Sequence, residues 1–265
     1  MNTSPRITSI LQTPCLDTSI TGLPTFDLAV LEVDNDVNFL LPTNLRLGHV
    51  AEKVVLHAIE ASTNYNTVLH NIQVLDNKQT IGELDFILEE VATQQLIHVE
   101  LAYKFYLYDP SISHEPIHNW IGPNRNDSLD QKLTKLKDKQ FPLLHHPCTA
   151  SALGHLDTHH VSQALCLLVS LFVPFAYTGS FSPAYQKAIQ GYYLDIDTFH
   201  RLDNENKTYY LPSNKEWGID PTENKTWTEY ASIKGRITAA IEKNQAPLCW
   251  QKSGDSYTAF FIIWW

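Results

Sequence analysis

Positive charge is in short supply in this sequence: 19 lysines and arginines stand against 29 aspartates and glutamates, for a net charge of −10. That balance excludes a broadly basic coat, so a polyanionic partner would need a local positive channel. Cysteine is scarce as well. The four thiols, Cys15, Cys148, Cys166 and Cys249, form no CxxC pair and no zinc-finger spacing, a pattern of reduced, mostly buried thiols. Long apolar runs are missing; the longest, "ALCLLVSLFVPF" (164–175), is too short for a bilayer and runs into Pro174. The first residues, "MNTSPRITSILQTPCLD", lack the basic head and apolar stretch of a signal peptide. No repeats, low-complexity tracts or clear linkers interrupt the chain. Together these absences predict a cytoplasmic protein with no membrane partner.

Enough remains to build a core. The chain has 265 residues, 43% of them apolar, sufficient for one large domain without a staple. Residues 1–43 carry scattered prolines and read as a segment packed on the core; "FDLAVLEV" (26–33) fits a strand or a helical turn. From Asn44, placed as a cap, Leu47, Val50, Ala51, Val54, Val55, Ala58 and Ile59 recur at helical spacing. Strands are expected at 71–75, 81–88 and 96–108, joined by the polar turns "DNKQT" and "EVATQQ". A helix follows over 128–140, then a buried strand at 166–173. The last third is aromatic and turn-rich, closing in a hairpin at Ser253-Gly254-Asp255. The fold class is therefore α/β (α+β), with a core over 44–175 and a β-rich extension, 176–265, in the same structural unit.

The strands carry acids. Along 98–107 one face is Val99, Leu101, Tyr103, Phe105 and Leu107; the other is His98, Glu100, Ala102, Lys104 and Tyr106. In the preceding strand Glu83 and Asp85 oppose Leu84, Phe86 and Leu88. If the apolar faces lie together, Asp85 and Glu100 project from one side, where they repel unless a cation joins them; hard oxygen ligands suit Mg2+ or Mn2+. The competing reading is a sheet face in water, with Glu100 and Lys104 as a weak surface pair. Residues alone leave both open.

The order of elements resembles the core of the PD-(D/E)XK nuclease superfamily: a helix with Glu52 in "LGHVAEKVVLHAIEA", a strand, "GELD", then a strand with Glu and Lys on one face. More specifically, the run "LGHVAE…GELDFIL…HVELAYKFYL" resembles a bacterial family, domain of unknown function 1853. The superfamily resemblance implies a restriction-endonuclease-like central mixed sheet flanked by helices, and metal-dependent cleavage of nucleic acid, DNA ahead of RNA. It places Asp85 and Glu100 on the metal with the Leu101 carbonyl, and Glu52 as the helix acid. The superfamily's Glu-x-Lys would put lysine at 102; this chain has Ala102, and Lys104 lies about 6.6 Å further along the same face. Lys132 and Gln131, on the next helix, are the alternatives for the positive or polar group. Lys132, Lys135 and Lys139 form either a solvated helix face or a stripe that contacts phosphate.

Two further readings stand beside this one. In the first, the chain lacks catalysis and binds nucleic acid or protein through the same fold, which Ala102 favours. In the second, a zinc site is spelled by His145, His146, His155, Asp157, His159 and His160, although no HExxH is present. The C-terminal aromatics Trp250, Tyr257, Phe260, Phe261, Trp264 and Trp265 serve packing or a protein or self-association surface.

Overall fold

The computed structural model describes residues 5–33, 39–42, 44–154 and 156–265. Among them are nine strands: β1 (Tyr65–Asp76), β2 (Gln79–Glu90), β3 (Leu96–Tyr108), β4 (Trp120–Ile121), β5 (Val161–Pro174), β6 (Ile189–Asp195), β7 (Lys207–Tyr210), β8 (Leu248–Ser253) and β9 (Ser256–Ile263). The protein is mixed α/β, with mostly antiparallel pairing; β5–β6 and β6–β9 are parallel. Two compact units are interleaved along the chain: Met1–Tyr103 with Gln131–Leu168, and Lys104–Asp130 with Val169–Trp265.

In the first unit the strand order is β1-β2-β3-β5. β3 has the bounds its alternation predicts. β1 is longer than the expected 71–75, because its outer half is an exposed and half-buried alternation broken by a register shift between Thr67 and Leu69. The β1–β2 turn is two residues, Asn77 and Lys78, both at positive φ (47° and 67°), the geometry that matches the twist of a tight hairpin. The long helix Leu47–Glu60 buries the predicted stripe from Val50 to Ile59 and leaves Leu47 half-buried, but Asn44 lies outside it; Arg46 is the cap residue and gives no side-chain bond. The N-terminal segment packs here, with Ile7, Ile10 and Leu16 fully buried. Its backbone meets β5, where Leu16 N donates to Leu167 O and Phe26 N to Leu165 O. The segment 26–33 contributes one short 3-10 turn, Leu28–Val30. The helix expected over 128–140 is α-helical at Leu129–Lys135 and widens into a π-helical turn at Leu136–Gln140 before Phe141–Leu143.

The second unit has strand order β5-β6-β9-β8-β7, with β4 on the end of β3. The closing hairpin turns at Gly254, φ 57°, as the sequence predicts. Helices Ile196–Leu202 and Tyr230–Ile241 contribute to a core of Phe199, Tyr209, Tyr230, Ile233 and Phe260. The C-terminal rings pack inside this unit: Phe260 stacks on Tyr192 at 5.3 Å, Phe261 meets Phe172 edge-on, and Trp265 lies under the Arg125 guanidinium at 4.5 Å. Among the described residues no helix is long and apolar enough to cross a membrane.

Candidate functional site

The site begins where a ladder ends. β2 and β3 are bonded from Glu89↔Leu96 to Phe86↔Val99, and the ladder stops there. One step further the same register sets Asp85 opposite Glu100, on one face, as the alternation requires. Instead of a backbone partner, the Leu101 N–H finds the Asp85 carboxylate, with Oδ2 accepting at 2.8 Å. An extended residue directs its N–H and C=O to the same neighbour, so the Leu101 carbonyl belongs to the same fork. On the other flank of β2, the pairing passes from His70↔Phe86 to Ile72↔Leu84 and skips Asn71, which holds φ 51°. Asparagine tolerates that left-handed conformation better than most residues. Asp85 thus sits where β2 is irregularly bonded on both sides.

Except for the half-exposed Lys104, the polar face of β3 is not in water. The side chains of His98 and Glu100 have 0% exposure, and Ala102 and Tyr106 are buried too. This excludes the surface-pair reading of Glu100 and Lys104. Glu100 is held from two sides: His98 Nε2 stands 2.9 Å from Oε1, and Gln140 Nε2 donates to Oε2 at 2.6 Å. Gln140 Oε1 in turn accepts from Lys132 Nζ at 3.2 Å. Behind the imidazole, Gln163 Nε2 lies 3.0 Å from His98 Nδ1 and donates to the Phe141 carbonyl at 2.8 Å.

Burial, then the negative charge of Glu100, lifts the Asp85 carboxyl from 3.8 to about 8; Glu52 adds to the rise, while the Leu101 N–H and Lys132 oppose it. Near neutrality Asp85 therefore keeps a proton that an ordinary aspartate loses. Glu83 is also raised, first by burial, then by Glu52, with Glu100 adding a smaller push and His49 acting against it. Glu52 faces its helix neighbour His49, with Nδ1 and Oε2 3.0 Å apart. Both line a cleft of about 210 Å3 together with Lys53, His70 and Asn71.

Of the residues singled out by sequence, Asp85, Glu100, Leu101, Glu52 and Lys132 are brought into one electrostatic neighbourhood. Lys104 is engaged elsewhere: its Nζ donates to Asp127 Oδ2 at 2.7 Å. Lys135 and Lys139 are exposed. Lys139 lies inside the π-helical turn, off the α-helical row that the sequence predicts. Among the histidines, His145 and His159 stack with centroids 6.3 Å apart, His160 pairs with Asp157, and His146 accepts from the Cys148 N–H. His155 lies outside the described residues. Among the described residues, no three His, Cys, Asp or Glu side chains converge closely enough to hold an ion. Sequence reasoning assigns no role to His98, Gln140, Gln163 or Glu83; only the i, i+2 spacing of His98 and Glu100 on a strand face signals one of their contacts.

A family model described as domain of unknown function, DUF1853, matches residues 23–255. The chain belongs to the DUF1853 family. The match spans both units, and every residue of the fork in this DUF1853 chain falls within it. No curated protein and no solved structure matches the chain.

Proposed function

We propose that this DUF1853 protein is a divalent-metal-dependent phosphodiesterase with a restriction-endonuclease-like core, acting on nucleic acid and on DNA ahead of RNA. The observation that carries the reading is the fork itself. It has two carboxylates on adjacent strands, one fully buried, the other with its carboxyl pushed up to about 8 by burial and its neighbour. Such a pair is costly as two anions and becomes favourable around a hard cation. The donor chemistry fits Mg2+ or Mn2+: Asp85, Glu100 and the Leu101 carbonyl would hold the ion, with Glu52 beyond them on the cleft wall. When bound, the ion supplies a Lewis acid that acidifies water and neutralises charge on the phosphate. Lys132 contributes the positive charge facing the phosphate, since it already acts on Asp85, whereas Lys104 is committed to Asp127. Lys132, Lys135 and Lys139 provide what local positive surface an acidic chain offers to a nucleic-acid backbone.

Asp85→Ala and Glu100→Ala each abolish Mg2+- or Mn2+-dependent cleavage of duplex or single-stranded DNA while circular dichroism stays unchanged. Cleavage that persists in both variants removes the assignment. One observation favours a second reading, a nuclease fold that binds without cutting: Ala102 occupies the usual lysine position and Lys104 is tied to Asp127. That reading expects no Mn2+ binding lost on Asp85→Ala.

A further inference from the structure

The two-armed support around Glu100 has a direction that its chemistry fixes. The Phe141 carbonyl can only accept, so the Gln163 atom 2.8 Å from it is the amide nitrogen. That nitrogen also stands 3.0 Å from His98 Nδ1, so it donates its second N–H there and Nδ1 accepts. A neutral imidazole that accepts at Nδ1 carries its proton on Nε2, and Nε2 is the atom 2.9 Å from Glu100 Oε1. The other arm is fixed in the same way. Lysine can only donate, so Lys132 turns the Gln140 oxygen toward itself and leaves the amide N–H groups for Glu100 Oε2. Each arm therefore ends in one N–H directed at the carboxylate, and both its oxygens are set by partners whose own orientation is locked.

We infer that His98 and Gln140 are positioning residues for Glu100, and that Gln163 sets the His98 tautomer. Histidine supplies the Oε1 donor from the buried side and the π-helical turn supplies the Oε2 donor. A carboxylate held this way keeps one rotamer before any cation arrives, so binding does not have to order it. This rests on Asp85 and Glu100 being the metal carboxylates.

The test uses the full chain and Mn2+, read by electron paramagnetic resonance, with 15N-histidine spectra as a second observable. In the wild type His98 shows the Nε2–H tautomer, and Gln163→Leu abolishes that preference. His98→Leu and Gln140→Leu weaken Mn2+ about 10- to 100-fold, the usual loss for residues that orient a ligand. His98→Gln, which returns an amide N–H near the place of Nε2, retains most of the affinity. An Nδ1–H tautomer, or wild-type Mn2+ affinity in folded His98→Leu and Gln140→Leu, overturns the positioning role while leaving the metal reading intact. A wild-type chain that binds no Mn2+ overturns both.

Discussion

At the scale of single residues, Asp85 carries the sharpest consequence. Its folded carboxyl lies near 8 rather than 3.8, so below about pH 4 it is protonated both folded and unfolded and costs nothing. As pH rises from about 4 to about 8, the unfolded chain loses this proton while the fold retains it, and stability falls; above 8 the loss is complete. A tenfold difference in proton affinity between the two states is worth about 1.4 kcal/mol, and screening at a half-buried side chain reduces the total to about 2 kcal/mol. In EDTA, Asp85→Asn should therefore unfold in urea like the wild type at about pH 3 and be about 2 kcal/mol more stable at pH 8. Saturating Mg2+ should narrow that gap by stabilising the wild type alone. Equal stabilities at pH 8 in EDTA would place the proton elsewhere. The two candidate lysines separate just as clearly. Lys104→Ala, removing a part-exposed pair, should cost under about 1 kcal/mol in thermal unfolding and leave cleavage in place, whereas Lys132→Ala should depress turnover. That Asp85 and Glu100 share one side of the sheet could be read from alternation once their strands are paired. Gln140 and Gln163 could not, because their contacts join residues 40 and 65 positions away in sequence.

Elements reproduce the local signals unevenly, and the reasons are physical. β3 is legible because alternation runs unbroken through it, while β1 is half hidden because a bulge and an exposed face dilute its pattern. The helix Tyr230–Ile241 buries Tyr230, Ile233 and Ile237, a stripe too narrow to stand out from its aromatic surroundings. The π-helical turn at Leu136–Gln140 has no periodic signature, yet it sets the phase of Gln140 against Glu100. Inserting one alanine after Lys137 would swing Gln140 by about 100° about the helix axis. Far-ultraviolet circular dichroism should hold while Mn2+ binding weakens; undiminished binding would mean the turn is incidental. The β1–β2 turn gives an independent check on backbone geometry. Lys78 holds, at some cost, a positive φ that glycine adopts freely. Lys78→Gly should therefore raise stability by about 0.5–1 kcal/mol, measured as a higher melting temperature.

Across the whole molecule, the mixed α/β class and the DUF1853 membership follow from signals spread through the chain. The interleaving of the two units does not, because it depends on which halves of β3 and β5 gather contacts. Charge is the global property with a testable functional edge. At −10 the chain repels a polyanion at long range, so any affinity for DNA has to come from a few local cations and must be strongly screened by salt. With Lys132, Lys135 and Lys139 as the phosphate contacts, log K against log salt on duplex DNA should fall with a slope near −3, about 0.9 for each contact. The double variant Lys135→Ala, Lys139→Ala should flatten that slope by about 2 and weaken binding similarly on unrelated sequences, since phosphate contacts carry no base information. Fluorescence anisotropy over a range of KCl concentrations reads both quantities. A slope unchanged by the double variant would show that these lysines are only a solvated helix face, and the cations that meet the backbone would have to be sought elsewhere in the chain.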